Sequence, residues 1–315
     1  KGWIEPSTSA WSSSVLFVPK ANGKLRFCVD YRALNRVTEQ NNGPRPLQGE
    51  LLDELQGAKY FTALDLASGY FQLEMSPSSR PYTAFPTPLG LFQWKVMPFG
   101  LCNAPAIFQQ AMNTILKEHI IKGYCKVYLD DIIILSKSLE EHINHLRLVL
   151  TTLGQPRLFC QLPECQWAKR ELKYLGHLVN GEGVNPDPAK IKTLDQWAPP
   201  MEVIKQIQDT TTSIAMRQAL KKQLASECRR FLGFMNYFRR FIPKFSEVAH
   251  VLHDQTSNEA PAWSSVCTDA WEKLLTLLKA ATMMYHLDFS LPFHIYSDAS
   301  IKAIVGVLVQ FKDGI

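Results

Sequence analysis

Three aspartates have the residue type and spacing to support chemistry on phosphates. Asp130 and Asp131 are adjacent within residues 124–135, which read Y-C-K-V-Y-L-D-D-I-I-I-L, and Asp65 ends the upstream segment Y-F-T-A-L-D. Two carboxylates about 4 Å apart repel by roughly 4 kcal/mol at an effective dielectric of 20, so a partly buried pair needs a compensating cation. Clustered hard oxygen ligands suit Mg²⁺, which commonly holds substrate phosphates as well.

A solvated turn is a simpler interpretation of the adjacent pair, because Asp is a common turn residue. The upstream carboxylate favours the metal site instead. If the strand that ends at Asp65 pairs beside the hairpin that carries Asp130, carboxylates from distant parts of the chain can converge on one cation. Two metals that bridge the attacking and leaving oxygens are the arrangement that polymerases use for phosphoryl transfer.

The hydrophobic pattern predicts the elements that position these carboxylates. Apolar, β-branched runs on both sides of Asp130 and Asp131 predict a strand, a tight turn and a second strand. Residues 60–66 alternate with a period of two, which predicts a strand with Asp65 near its end. A Ser-Gly pair then breaks that strand.

Length and composition limit the class of protein. At 315 residues, the chain is long enough for two or three compact units, each with its own core. Hydrophobic residues make up 46% and charged residues 20%, as in a typical globular protein. No run approaches the roughly 18 apolar residues of a membrane span, so we expect no membrane partner. The seven cysteines show no even framework, which favours a reduced, intracellular setting over a disulfide scaffold.

The net charge of +5 is modest, but it is unevenly distributed. Residues 217–244 contain eight basic residues and one acid, Glu227, so this window carries a net +7. A basic stripe on one element is expected of a surface that contacts the phosphate backbone of nucleic acid. A solvated helix face is the alternative, because charge runs usually have that simpler explanation.

Six short motifs follow one another along the chain, and each alone would be a weak signal. They are L-R-F-C-V-D-Y-R-A-L-N (25–35), F-T-A-L-D-L-A-S-G-Y-F-Q (61–72), V-M-P-F-G-L-C-N-A-P (96–105), Y-L-D-D (128–131), Y-L-G-H (174–177) and R-R-F-L-G-F-M-N-Y-F-R-R-F-I (229–242). In this order and at this spacing, the chain resembles the reverse transcriptase of gypsy-type long-terminal-repeat retrotransposons nearly from end to end.

The resemblance implies an α+β fold, the right-hand polymerase. An antiparallel palm sheet would carry the three aspartates, flanked by fingers and a helical thumb and followed by the first strands of an RNase H-like domain. Residues at about 201–228 depart from the family pattern, and we interpret them as an insertion that enlarges the thumb. The expected domains are fingers and palm (1–180), thumb (181–250), a connecting helical region (251–290) and a truncated RNase H-like domain (291–315).

The implied function is that of an RNA-directed DNA polymerase, which copies a retrotransposon RNA template into DNA by two-metal nucleotidyl transfer. Asp65, Asp130 and Asp131 would hold two Mg²⁺ ions, for which Mn²⁺ can substitute. The implied partners are an RNA or DNA template with its primer and deoxynucleoside triphosphates. We expect the chain in the cytoplasm, in a retroelement particle, or in the nucleus.

A catalytically inactive, nucleic-acid-binding remnant of a decaying element is the alternative function. The intact acids favour the enzyme, whereas the insertion and the truncated ends of the chain favour the remnant.

A β-hairpin is predicted near the start of the chain, where two strand-like runs flank an Ala-Asn-Gly turn signal. The resemblance places this hairpin over the incoming nucleotide, so that Lys20 and Arg26 would contact the triphosphate. Arg suits this role because a guanidinium can grip phosphate oxygens bidentately.

Three further residues are assigned to the nucleotide by the resemblance. Phe99 and Gly100 would line the floor beneath the nucleotide and the template base. Tyr70 would place its ring beside the sugar and leave no room for a 2′-hydroxyl. The alternative for Tyr70 is an ordinary tyrosine that closes the palm core.

Contacts to nucleic acid are expected from two motifs of the family. The residues assigned to them are Tyr174, Leu175 and Gly176 beside the primer end, and Arg229, Arg230, Arg239 and Arg240 in the thumb. The aromatic stripe within the second motif has helical spacing, and we interpret it as core.

Asp298 matches the first metal-binding aspartate of the RNase H domain. Such a site needs several acids from separate elements to hold its two metals, and only one acid, Asp313, follows in this chain. We therefore expect no RNase H activity from this sequence.

Overall fold

A computed structural model describes residues 2–19, 23, 25–41, 43, 46–257, 259–286, 290–299 and 304–311. The chain divides into two compact units, which comprise residues 1–175 and 176–315. The predicted domain limits, at residues 180, 250 and 290, stay predictions.

The first unit mixes short helices with antiparallel strands. Its strands are β1 (Ile4–Pro6), β2 (Val15–Pro19), β3 (Leu25–Val29), β4 (Tyr60–Asp65), β5 (Phe85–Thr87), β6 (Gly90–Trp94), β7 (Cys125–Tyr128), β8 (Asp131–Ser136), β9 (Gln166–Lys169) and β10 (Glu171–Tyr174). Its α-helices are α1 (Arg32–Val37), α2 (Gln48–Asp53), α3 (Ala104–Ile115), α4 (Lys117–Ile121) and α5 (Leu139–Gly154), and two 3₁₀ helices span Gly69–Gln72 and Arg80–Thr83.

The central sheet of this unit has the strand order β7-β8-β4-β9, and all its pairs are antiparallel. The predicted strand–turn–strand around the two adjacent aspartates is confirmed, as is the predicted strand that ends at Asp65. Ile132, Ile133 and Ile134 in β8 are fully buried, so both faces of the sheet are covered. This explains the continuous apolar run, which is typical of a strand buried on both faces.

Helices α3 and α5 supply the core on one side of the sheet. Phe108 and Met112 from α3 and Val149 and Leu153 from α5 belong to one buried cluster with residues of β4, β7 and β8. The helix α5 begins at a cap, because the backbone N–H of Glu141 donates to the Ser138 hydroxyl. The catalytic candidates therefore lie at one end of a rigid, well-packed sheet.

Five other strands of the first unit form two smaller sheets. The predicted hairpin near the start of the chain is confirmed, with β2 and β3 antiparallel. Strands β1, β6 and β5 form a three-stranded sheet beside a small aromatic core of Tyr31, Phe85 and Trp94. Phe71 stacks on Trp94 with ring centroids 5.0 Å apart, which joins this core to the chain that follows β4.

The second unit is mainly helical. Its helices are α6 (Pro188–Thr193), α7 (Met201–Gln208), α8 (Ile214–Tyr237), α9 (Phe245–Asp254) and α10 (Ser265–Lys279), with 3₁₀ helices at Leu194–Gln196 and Arg239–Phe241. Its strands are β11 (His177–Asn180), β12 (Gly183–Pro186), β13 (Met284–Tyr285), β14 (His294–Ala299) and β15 (Ile304–Val309). Strands β11, β12 and β13 pair antiparallel, and β14 and β15 form the predicted C-terminal hairpin.

Helix α8 contains both the end of the segment interpreted as an insertion and the R-F-L-G motif. It is one helix of 24 residues, and the Ser213 hydroxyl caps its start by accepting from the backbone N–H of Met216. Phe231, Phe238 and Phe241 are buried, so the interpretation of the aromatic stripe as core is confirmed for them.

All seven cysteines are free thiols. In the part of the chain that the structure describes, no helix has the length and apolarity that a membrane crossing requires.

Candidate active site

Strand pairing brings two of the three candidate aspartates together. Strands β4 and β8 run antiparallel with Asp65 directly opposite Asp131, and β7 pairs with β8 so that Tyr128 also lies opposite Asp131. Asp130 occupies the turn between β7 and β8. Because directly opposed residues of a sheet point to the same face, Asp65 and Asp131 present their carboxylates on one side of the sheet end.

The carboxylates raise one another's affinity for protons. Desolvation by the surrounding protein, then the charges of Asp130 and Asp65, raise the pKa of Asp131 to about 6. Desolvation also raises the pKa of Asp65, and the negative charges of Glu164 and Asp130 add to this effect. Like charges directly opposite each other in a sheet are destabilising, so this arrangement gains from a cation.

The residue types fit Mg²⁺. In the described part of the chain, Asp65, Asp130 and Asp131 form no ion pair that would neutralise them. The described side chains also provide no cluster of three or more His, Cys, Asp or Glu residues with the geometry to hold a metal by themselves. In phosphoryl-transfer enzymes, Mg²⁺ is usually held by one or two carboxylates together with substrate phosphates and water, and carboxylates are the oxygen donors present here.

A buried glutamine holds the turn that carries Asp130. Gln109 in α3 is 1% exposed, and its Oε1 accepts from the backbone N–H of Leu129 at 2.7 Å. Its Nε2 donates to the carbonyl of Val127 at 3.1 Å and to Asn113 Oδ1 at 2.8 Å. Leu129 has a φ of 55°, a left-handed conformation that costs a non-glycine residue about 1–3 kcal/mol. Gln109 therefore fixes a strained backbone immediately before Asp130.

The sequence analysis missed Gln109, although a signal was present. The residue lies in an apolar helix between Phe108 and Met112, both of which are fully buried. A polar side chain in such a position must find hydrogen-bond partners inside the protein. The sequence thus indicates a buried polar contact, but not which backbone groups it reaches.

The turn after β4 approaches the same aspartate. Gly69 is buried, and a Cβ atom on it would lie 3.1 Å from Phe108 Cζ and 3.5 Å from Asp130 Cβ. The neighbouring Ser68 is left-handed, with a φ of 56°. Gly at residue 69 lets the two turns pack against each other, so that the chain following Asp65 lies against Asp130.

Comparison with known families identifies the family to which this chain belongs. A family model described as "Reverse transcriptase (RNA-dependent DNA polymerase)" matches residues 18–179, just over half of the chain. The chain belongs to the reverse transcriptase family. A second model, described as "RNase H-like domain found in reverse transcriptase", matches residues 263–314. This match begins within the region that the sequence analysis assigned to a connecting helical segment.

Curated relatives of this reverse transcriptase are retrotransposon polyproteins. The retrovirus-related Pol polyprotein from transposon 297 of Drosophila melanogaster is 37% identical over 319 residues, which cover 98% of this chain and 28% of the relative. The Transposon Tf2-3 polyprotein of Schizosaccharomyces pombe (strain 972 / ATCC 24843) is 34% identical over 313 residues, which cover 99% of this chain and 22% of the relative. The chain thus spans less than a third of these relatives' length.

Solved structures with the same fold come from foamy virus. The protease–reverse transcriptase dRH in complex with double-stranded DNA has a TM-score of 0.76 and 25% identity, and the alignment covers 98% of this chain and 51% of that chain. The foamy viral protease–reverse transcriptase in complex with an RNA/DNA hybrid has a TM-score of 0.73 and 24% identity, with 98% and 39% covered. The expected right-hand polymerase fold is confirmed by these neighbours.

Of the two residues assigned to the nucleotide floor, Phe99 lies next to Tyr70. The ring of Tyr70 lies 4.9 Å from that of Phe99 and 5.2 Å from that of Phe108, between an exposed and a buried aromatic. Phe99 is 49% exposed, so it offers a surface to a ligand. Gly100 has a φ of 98°, which favours glycine there. Tyr70 is half-buried, and this position is compatible with both the sugar-gate prediction and the core alternative.

Three assigned side chains lie outside the described residues. Lys20 is not described, and for Arg26 and Asp298 only the backbone is described, within β3 and β14. Their predicted roles in triphosphate binding and in the RNase H-like domain stay predictions.

Two side chains of the motif assigned to the primer end are buried. Tyr174 is 3% exposed and Leu175 is also buried, so neither side chain is available to a nucleic acid in this structure. A Cβ atom on Gly176, whose φ is 69°, would overlap Lys190 Nζ and the hydroxyl of Tyr237. The left-handed backbone favours glycine here, and the predicted nucleic-acid contact stays a prediction.

The four arginines assigned to phosphate contact are all exposed, and Arg229 and Arg230 contact groups of their own unit. The Nη1 of Arg229 donates to the carbonyl of Thr256 at 2.7 Å. The guanidinium of Arg230 lies 5.4 Å from the ring centre of Trp197, within cation–π range. Arg239 and Arg240 follow in the 3₁₀ helix that ends this region.

Proposed function

We propose that this chain is an RNA-directed DNA polymerase that copies a retrotransposon RNA template into DNA. Membership of the reverse transcriptase family supports the reaction class. The observation that carries the proposal is the direct pairing of Asp65 with Asp131 beside the turn of Asp130, with no described ion pair to neutralise these carboxylates.

The reaction joins the oxygen of the primer 3′-hydroxyl to the α-phosphorus of a deoxynucleoside triphosphate. The bond from that phosphorus to the leaving pyrophosphate breaks, and the hydroxyl proton passes to solvent. Asp65, Asp130 and Asp131 would hold two Mg²⁺ or Mn²⁺ ions. When bound, such ions stabilise negative charge on the attacking and leaving oxygens.

The other residues of the site hold and orient the reacting groups. Gln109 fixes the backbone before Asp130, so that its carboxylate is placed before substrate binds. Phe99 offers an exposed aromatic surface beneath the base, and Tyr70 packs beside it where the sugar would lie. Arg26 and Lys20 complete this proposal as contacts of the triphosphate.

The proposed partners are a primer–template and deoxynucleoside triphosphates. Solved relatives bound to double-stranded DNA and to an RNA/DNA hybrid support nucleic acid as the partner. The basic window around α8 supports contact with its phosphates. We also propose an intracellular site of action, in the cytoplasm or the nucleus, with which seven free thiols agree.

Primer extension on poly(rA) with an oligo(dT) primer tests the function directly. We expect Mg²⁺-dependent incorporation of dTTP by the purified chain and none by its Asp65→Asn variant. Primer–template binding by both proteins without extension by either would identify the chain as the catalytically inactive remnant.

A further inference from the structure

Gln72 joins two segments of the first unit that lie beside the active site. Its Nε2 donates to the carbonyls of Ala67 and Phe159, both at 3.0 Å. Its Oε1 accepts from the backbone N–H of Phe159 at 2.7 Å. The side-chain amide thus uses both N–H groups and its carbonyl, and only this orientation matches two carbonyl acceptors and one N–H donor.

The first of these segments is the turn that follows Asp65. It contains left-handed Ser68, then Gly69, and then the 3₁₀ helix Gly69–Gln72 that includes Tyr70. The carbonyl of Ala67 that accepts from Gln72 lies at the start of this turn. The hydrogen bond from Gln72 to Ala67 therefore links the two ends of the turn, as a backbone hydrogen bond would.

The second segment is the chain that precedes β9. The backbone N–H of Gln161 donates to the carbonyl of Asp65 at 2.8 Å, and the N–H of Ala67 donates to the carbonyl of Phe159 at 2.9 Å. Leu66 and Cys160 form an isolated β-bridge between these contacts. Residues 159–161 thus pair with the end of β4 and with the two residues that follow it.

We propose that Gln72 is a positioning residue that sets the ring of Tyr70 relative to Asp65, and through it the choice between deoxyribose and ribose. This inference rests on the proposed function. Gln72 anchors the turn to the segment that also holds the backbone of Asp65. With the anchor in place, the Tyr70 ring lies against the rings of Phe99 and Phe108.

Few other side chains can make these contacts. Glutamate accepts but does not donate when ionised, so it would lose both bonds to carbonyls and place a charge against them. Methionine keeps the length of the side chain and loses all three hydrogen bonds. Asparagine keeps the amide but is one methylene shorter, so it cannot reach both segments at once.

The experiment compares dTTP and UTP incorporation on poly(rA)/oligo(dT) by the parent chain and by Gln72→Met and Gln72→Glu. We expect KM for dTTP to rise and discrimination against UTP to fall by about tenfold to a hundredfold, the loss typical of a displacement of about 1 Å. Exposed Gln110 in α3 provides the matched control, and Gln110→Ala should keep the discrimination of the parent.

The outcomes separate the two levels of the proposal. If the parent chain does not extend the primer, the proposed function fails. If the parent extends and both Gln72 variants lose dTTP and UTP incorporation in equal proportion, Gln72 supports only the fold and the positioning role is overturned. Variants that discriminate as well as the parent would overturn it too. A melting temperature near that of the parent, measured on each variant, excludes partial unfolding as the cause of a changed ratio.

Discussion

Asp65 and Asp131 face each other across β4 and β8 with no described ion pair, whereas Arg229 and Arg230 in α8 already contact groups of their own unit. Both sets of charges stood out in the sequence as candidates for binding. In the first unit, desolvation and then repulsion raise the pKa values of Asp65 and Asp131, so binding a cation would relieve an existing cost. In the second unit, contacts with the protein would compete with any binding of these arginines to phosphates.

The comparison indicates that charged side chains without an ion pair identify the active site better than a high local density of charged residues does. A charged group without a partner gains fully from its ligand, whereas a paired group must first give up its contact. Five predictions concern residues of these two units, in order of decreasing expected effect.

The largest effect is expected from the carboxylates. Asp65→Asn or Asp130→Asn should lower primer extension by about a thousandfold or more, because each removes a charge on which transition-state stabilisation depends. Primer–template binding, measured by fluorescence anisotropy, should remain nearly unchanged. Normal extension by either variant would remove these residues from the catalytic set.

A smaller loss is expected when the catalytic turn is released. Gln109→Ala should lower kcat for primer extension by roughly tenfold to a hundredfold, because a displacement of about 1 Å at the site is enough for this. It should also reduce the free energy of unfolding by about 1–3 kcal/mol, since buried backbone groups lose their partner. Gln110→Ala, one residue along the same helix, is the control. Equal effects of the two variants would show that Gln109 has no special role.

The sugar gate should respond next. Tyr70→Val should admit UTP on poly(rA) by opening space where a 2′-hydroxyl would lie, with a change in discrimination of about tenfold and dTTP incorporation affected much less. Steady-state incorporation of the two nucleotides measures the ratio. If the variant discriminates as well as the parent, Tyr70 is only a core residue.

The arginines test whether a contact within the protein weakens the contribution of a charge to phosphate binding. Arg239→Ala should flatten the dependence of log K on log salt for template binding by about one unit, the effect of one lost phosphate contact. Arg229→Ala should flatten it less, because the guanidinium of Arg229 already donates to the carbonyl of Thr256. Binding titrations at several salt concentrations measure both slopes. The reverse order would contradict the comparison.

The smallest effect concerns a buried histidine of the first unit. His142 is fully buried, with hydrogen bonds to the hydroxyls of Thr62 and Ser136, and desolvation followed by the charge of His145 lowers its pKa from the ordinary 6.5. Because the unfolded chain binds the proton more readily, this contribution to stability is complete above pH 6.5 and is lost as the pH falls below it.

Urea unfolding at about pH 7.5 and about pH 5.5 measures this loss of stability. We expect His142→Gln to weaken the pH dependence of the unfolding free energy. His250→Gln, at an exposed position in the second unit, should leave that dependence unchanged. An unaltered pH dependence in His142→Gln would assign the effect to other groups.

The sequence by itself determined the local elements around the site. The strand that ends at Asp65, the hairpin around Asp130 and Asp131 and the amphipathic helices follow from hydrophobic periods of two and of about 3.6 residues, which depend on near neighbours alone. The burial of Phe231, Phe238 and Phe241, in α8 and just beyond its end, was predicted for the same reason. Family motifs added the polymerase fold and the assignment of the three aspartates.

Only the tertiary structure decided which groups hold those elements in place. The partners of Gln109 are 18 and 20 residues away in sequence, and Phe159 is 87 residues from Gln72. The pairing of Asp65 with Asp131 likewise depends on the register between distant strands. Each of these contacts uses at least one backbone group, which every residue carries, so the sequence letters do not identify the partner. They depend on how packing closes long loops, and that packing is a property of the whole fold.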